Sequence, residues 1–212
     1  MVTKRRMLHQ AREKKILDSA RELFIARGYQ NITIRDIAAG AGLTRRTVYA
    51  YFPTKEELMM TLHLNGLIKR VEVLENALEK KKTGIEKIRA FGLAYYGHYK
   101  KNPDQLLLQV ILDAEKLDDT KISSSLLSRF RLANAEGHRT LEEALALGKR
   151  DGTISSKIDV KLYFVYLVFT FRAVAKQTLF PTLSPVNKYG EKFYYDYLKL
   201  ILKALKPNSK IR

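Results

Sequence analysis

Apolar positions recur at three- and four-residue intervals along nearly the whole chain, the spacing of helices with one buried face. Ile16, Leu17, Ala20, Leu23 and Phe24 predict a first helix over residues 12–27, which Gly28 stops. Thr33, three residues before Asp36, predicts a capped start to a second helix, with Ile34, Ile37, Ala38 and Ala41 inside and Gly42 at its end. Thr44 caps a short third helix over 45–52, which Pro53 stops, and Thr54 caps a fourth over 55–78 carrying Leu58, Leu62, Leu67 and Val71. Beyond a break at 80–84, further helices are predicted over about 85–100, 103–116, 123–149, 159–180 and 187–205. The breaks between them fall at Asn102-Pro103, Asp118-Asp119, Asp151-Gly152 and 181–185. Residues 1–10 have no apolar stripe and read as a frayed basic tail. No strand-like alternation runs over six residues. The fold class is all-α, with about nine helices in a three-helix head and a larger helical body.

Composition narrows the class further. With 212 residues, 46% of them hydrophobic, the chain can bury a sizeable core. The absence of Cys excludes disulfides, thiolate metal sites and a Cys nucleophile. The longest apolar run, 162–171, is half of the roughly 20 residues a membrane-spanning helix needs, and no apolar run follows the basic N-terminus as in a secretory signal. A cytoplasmic protein without membrane association is therefore expected, and no cofactor. The net charge of +17 points to a polyanionic partner. It does not locate the contact. Residues 1–60 carry 12 Lys/Arg against 6 Asp/Glu and the remainder 27 against 16, so the positive excess runs throughout.

The segment 33–52, TIRDIAAGAGLTRRTVYAYF, locates it. Ala38 sits where two helices cross closely, Gly42 follows four residues later where the turn needs a positive φ, and Val48 faces back onto the first helix six residues further on. A small residue, a glycine and an aliphatic residue at these intervals are the spacing of a helix-turn-helix. The outward face of the third helix carries Arg45, Arg46 and Tyr49, with Thr47 beside them. A guanidinium pairs bidentate with guanine O6 and N7, and one such pair discriminates by about 1–3 kcal/mol. Phenolic oxygens and Lys55 suit phosphates.

From Ala11 to Leu62 the chain resembles the DNA-binding head of the TetR (tetracycline-repressor-like) family. Leu23, Phe24, Gly28, Thr33, Ile37, Ala38, Ala41, Gly42, Tyr49, Phe52, Lys55, Glu57 and Leu58 carry the resemblance. It implies backbone contacts from Thr44, Tyr49, Tyr51 and Lys55 and base contacts from positions 45–47, with Thr33 also among the DNA-binding candidates. Arg46 departs from the pattern, since members often have Gly there, so the target sequence does not follow from relatives. The resemblance implies a domain over 1–54 that binds double-stranded operator DNA, and a domain over 55–212 that binds a small effector and forms a homodimer.

Two broad apolar faces fit such a dimer: Leu162, Tyr166 and Phe169 on one helix, and Tyr194, Tyr197, Leu198 and Ile201 on the next. Aromatic residues gather at Phe91, Tyr95, Tyr96 and Tyr99 and at Tyr163 and Phe164, a lining suited to a flat or acyl-like hydrophobic effector. His98 beside them either orients a polar group of a ligand or, as is commoner for a lone histidine, sits at a surface. The functional expectation is a sequence-specific transcriptional regulator, a repressor released by such an effector. The alternative is a helix-turn-helix coactivator acting mainly through a protein partner. Catalysis has no support. The four histidines are scattered, no HExxH, phosphate loop or G-x-S-x-G occurs, and the carboxylate pairs Glu142-Glu143 and Asp118-Asp119 are sequence neighbours that point apart on a helix.

Overall fold

The computed structural model describes residues 4–181 and 185–207, with Pro185 in its backbone alone. Among the described residues it is all-α. The helices are α1 (Lys4–Arg27), α2 (Ile34–Gly40), α3 (Arg45–Tyr51), α4 (Lys55–Glu79), α5 (Gly84–Lys101), α6 (Pro103–Ala114), α7 (Ser124–Arg150), α8 (Val160–Leu179) and α9 (Glu191–Leu205), with short 3-10 turns at Asp119–Lys121 and Pro185–Lys188. None is long and apolar enough to cross a membrane.

Two boundaries differ from the expected ones by more than two residues. The expected basic tail is helical from Lys4, because α1 continues two turns past Arg12 and lays His9 against Tyr51 at 4.4 Å between ring centroids. Met1, Val2 and Thr3 lie outside the described residues. The last helix starts at Glu191 rather than 187, because Pro185–Lys188 forms a 3-10 turn and Gly190 adopts φ +52°. Of the expected break at 181–185, the middle lies outside the described residues.

By compactness the chain forms two units. The first takes residues up to 67 together with 104–132, and the second takes 68–103 with 133–212. The first unit, the head, is therefore larger than the span 1–54 expected to carry DNA binding, which is a division by role. Its core gathers Ile16, Ala20 and Phe24 of α1, Ile37 and Ala38 of α2, Val48 of α3, Leu58 and Met59 of α4 and Leu108 of α6. The α1–α2 crossing is close: Ser19 Oγ donates to the Ile37 carbonyl at 3.0 Å, and a Cβ at Gly40 would lie 2.4 Å from that hydroxyl.

In the second unit, the body, α5, α8 and α9 pack against one another. Tyr96, Tyr99, Phe171 and Tyr194 are buried among them. The Tyr194 hydroxyl donates to the Gly92 carbonyl at 2.9 Å, and its ring stacks on Tyr96 at 4.3 Å. The start of α5 is capped twice. Thr83 and Glu86 form a capping box, and the Gly84 N–H donates to Asp151 Oδ2 at 2.7 Å.

Candidate DNA-binding site

The expected site is built from two seven-residue helices, α2 and α3, and local chemistry fixes both. The Thr33 hydroxyl accepts from the Asp36 N–H while the Asp36 carboxylate accepts from the Thr33 N–H at 2.9 Å, a capping box that starts α2. The hydroxyl and N–H of Thr33 hold the Asp36 carboxyl below the usual range. Gly42 adopts φ +65°, the left-handed turn expected of it, and its neighbour Leu43 donates to the Ala38 carbonyl at 2.9 Å. The Thr44 hydroxyl then accepts from Thr47 N–H at 3.2 Å and contacts the Thr47 hydroxyl at 2.9 Å, capping α3.

This geometry sorts the side chains of α3. Val48 is fully buried, so the opposite face is turned to solvent. Arg45, Arg46 and Tyr49 are exposed, and neither arginine has a carboxylate partner among the described residues. Thr33 and Thr44 are exposed with their hydroxyls engaged in caps, and Thr47 is half-buried. Tyr51 is half-buried, packed on the head core and against His9. Through that contact Lys4, Arg5 and Arg6 ride on the same helix, α1, that abuts α3.

Lys55 has a different surrounding from the one its sequence position implied. Its Nζ donates to the carbonyls of Tyr29 and Ile32, each at 3.0 Å, and lies 4.1 Å above the Tyr29 ring. Burial lowers its pKa, partly offset by Glu56 and Glu115. Two of its three donors thus pin the loop between α1 and α2, which is a structural task within the head. Tyr29 itself is buried, and its hydroxyl has no hydrogen-bond partner among the described residues. The sequence pattern held no sign of either feature, because both depend on a backbone brought in from more than twenty residues away.

The body places its candidates unevenly. Phe91, Tyr95, Tyr96 and Tyr99 are buried in the packed interior, with Tyr95 edge-on to Tyr99 at 5.0 Å and Phe91 against Phe171 at 5.8 Å. Phe164 is buried against His138, whereas Tyr163 is half-buried and meets Tyr166. His98 is buried rather than at a surface. A cavity of about 570 Å³ in this unit is lined by α4, α5 and α7 residues, among them Glu75, Lys87, Arg139 and Glu143, and includes none of the six aromatic candidates.

Of the expected dimer residues, Leu162, Tyr166 and Phe169 are exposed. Tyr194 and Leu198, expected at the dimer contact, are buried within the subunit and pack against α5. Tyr197 and Ile201 are half-buried, with the Tyr197 hydroxyl bonded to Thr170. Leu200, 67% exposed, is the most exposed of the apolar α9 residues that the periodicity did not single out.

Comparison with known proteins bears on the head and on the fold. Residues 16–61 match the model of the family "Bacterial regulatory proteins, tetR family". The HTH-type transcriptional regulator EthR of Mycolicibacterium smegmatis is 41% identical over 69 residues, 32% of this chain and 31% of that protein. The chain thus matches about a third of the length of this curated relative. The HTH-type transcriptional repressor KstR2 of Rhodococcus jostii is 26% identical over 163 residues, 74% of each protein. The fatty-acid regulator FadR of Bacillus subtilis, solved in complex with stearoyl-CoA, superposes with a TM-score of 0.71 at 20% identity, covering 94% of this chain and 99% of that one.

Proposed function

We propose that this chain, which belongs to the tetR family of bacterial regulatory proteins, is a sequence-specific DNA-binding transcriptional repressor that acts as a homodimer. The observation that carries the reading is the pair of exposed arginines on α3, opposite a fully buried Val48 and behind a left-handed glycine. Arg45 and Arg46, with Thr47 beside them, approach base edges in the major groove, and Thr44 and Tyr49 position the helix on the backbone. Lys4, Arg5 and Arg6, carried on α1, add phosphate contacts beside the site.

A homodimer is supported on two grounds. One short recognition helix per chain specifies too few base pairs for tight selective binding, and paired half-sites remedy that. Leu162, Tyr166 and Phe169, with Leu200, leave an apolar surface exposed. The effector is a hydrophobic small molecule, and stearoyl-CoA is the first probe because a regulator of this fold binds it. To move the protein from 99:1 to 1:99 between DNA-binding and non-binding states, the effector must prefer the latter by about 10⁴-fold. The site of action is the cytoplasm, where the DNA is.

The test is selection of bound sequences from a random duplex pool, followed by titration of the selected and a scrambled duplex at several salt concentrations. The expected result is a preference of roughly 10³-fold or more for the selected duplex, with affinity for both falling steeply with salt. Equal affinity for the two duplexes defeats the reading.

A further inference from the structure

A cleft of about 330 Å³ opens between α5 and α9 in the body. Leu93, Leu198, Leu202 and the ring of Tyr195 form its apolar walls, and Arg89, Lys199, Lys203 and Lys206 supply cations. No carboxylate lines it. On α9, Tyr195, Lys199, Leu202 and Lys206 follow one another at three- and four-residue steps, a flank distinct from that of Tyr197, Leu200 and Ile201. The cleft is therefore separate from the apolar surface proposed for the dimer.

Its base is rigid. The Tyr194–Gly92 hydrogen bond and the Tyr96–Tyr194 stack hold α5 and α9 together, and Tyr195 packs edge-on to Tyr96 at 5.8 Å. Of the four cations, Lys199 is engaged by Asp196 at 3.2 Å. Arg89, Lys203 and Lys206 have no carboxylate partner among the described residues. The lysines are not needed to finish α9 either, because the Leu205 carbonyl accepts from the Ser155 N–H at 2.8 Å. Leu93 meanwhile remains 40% exposed at the rim.

A wet apolar wall and uncompensated cations make opposite demands on solvent, and one class of ligand meets both. We propose that this cleft binds a single-chain anionic amphiphile, an acyl or alkyl chain bearing a phosphate or carboxylate head. The chain lies along Leu93, Leu198 and Leu202, and the head bonds Arg89, Lys203 and Lys206. The volume sits at the lower end of the range for small-molecule sites, which suits a medium-length chain more than a bulky nucleotide. The proposal does not depend on the regulator reading, since it is tested without DNA.

The experiment is calorimetric titration of the full chain with dodecyl phosphate and with laurate, both below their micellar concentrations. Inorganic phosphate and an uncharged dodecyl glycoside serve as comparisons. Either anionic amphiphile should bind, and which of the two binds more tightly assigns the head group. The double variant Arg89→Glu/Lys203→Glu, at two exposed positions, should weaken that binding by roughly a hundredfold, about tenfold for each cation removed. Its melting temperature should match that of the unaltered chain, and Leu93→Ser should weaken the amphiphile in the same direction. Wild-type affinity in the double variant places any binding elsewhere, such as the aromatic interior, and overturns the proposal. So does inorganic phosphate or the glycoside binding as tightly as dodecyl phosphate. Co-sedimentation with anionic vesicles without binding of the monomeric amphiphile overturns it in favour of a membrane surface.

Discussion

α3 and α9 are both amphipathic helices, yet they resolve their two faces in opposite ways. α3 is seven residues long, buries Val48 alone, and turns two arginines outward. α9 is fifteen residues long, buries Tyr194, Leu198 and Leu205 against its own subunit, and still turns Leu200 outward. A short helix with one buried residue is positioned by its caps and turn. A long helix with apolar residues on both sides is positioned by packing, and its surplus apolar surface needs another partner. The head thus presents a polar recognition surface on a locally determined frame, and the body presents apolar surface on a globally determined one.

Replacing Arg45 and Arg46 together by Ala tests the head side of this contrast, and the effect should be the largest of those considered. If both guanidinium groups read bases, selective binding falls by about 2–6 kcal/mol, while affinity for scrambled duplex changes far less. Competitive anisotropy on selected and scrambled duplexes measures the difference. Equal losses on both would reduce the arginines to phosphate contacts.

The corresponding test in the body is Phe169→Glu with Leu200→Glu. Both side chains are more than half exposed, so the subunit keeps its fold. Charges brought into an apolar contact should raise the dimer dissociation constant by roughly a hundredfold or more, seen by sedimentation equilibrium. A dimer of unchanged strength would move the interface to another surface.

These contrasts explain what the sequence disclosed. Thr33 with Asp36, Gly42 and Thr44 act within four residues of themselves, so their roles in the head were legible directly. The two extra turns of α1 were not, because Lys4–Gln10 has no apolar stripe and its anchor is His9 on Tyr51, forty-two residues away. In α9 the period identifies a helix but not which apolar face turns inward, so Tyr194 and Leu198, expected at the dimer contact, pack on α5 instead. The burial of His98 was likewise illegible, because a lone histidine three residues before the basic end of α5 carries no local sign of which way it faces.

Two residues whose environment only the structure reveals give intermediate effects. Lys55→Ala leaves the carbonyls of Tyr29 and Ile32 without their charged donor and should destabilise the head by about 1–3 kcal/mol in urea unfolding, whereas Arg45→Ala should leave the midpoint almost unchanged. A Lys55→Ala chain that is fully stable yet binds every duplex more weakly would return Lys55 to the phosphate backbone. Tyr29 and Tyr194 form a second pair. Tyr29→Phe removes a buried hydroxyl that has no partner among the described residues and should be neutral or stabilising by up to about 1 kcal/mol. Tyr194→Phe removes a buried hydroxyl's bond to the Gly92 carbonyl and should cost about 1–2 kcal/mol. The same urea titrations separate the two, and a loss on Tyr29→Phe as large as that on Tyr194→Phe would show that the hydroxyl has found a partner in solution.

The smallest effect compares one motif in both units. Thr33 with Asp36 starts α2 in the head, and Thr83 with Glu86 starts α5 in the body, each as a capping box. Hydrogen bonds from the threonine, led by the Thr33 hydroxyl in the head and the Thr83 N–H in the body, hold each carboxyl below its usual pKa. A carboxylate depressed in the folded state stabilises the fold above its unfolded pKa of about 4, and that contribution is lost as pH falls through the lower folded value. Thr33→Ala and Thr83→Ala should each lower the melting temperature by about 2–4 °C at pH 7, and the decline in stability below about pH 4 should become shallower chiefly for Thr33→Ala, because Ala at 83 keeps the N–H that leads the Glu86 shift. On DNA they should part company. Thr33→Ala loosens the helix that supports α3 and should weaken operator binding several-fold, while Thr83→Ala should leave it unchanged. If Thr83→Ala weakens the operator complex as much as Thr33→Ala, recognition depends on the body as directly as on the head, and the division of labour between a locally built reader and a globally packed body fails.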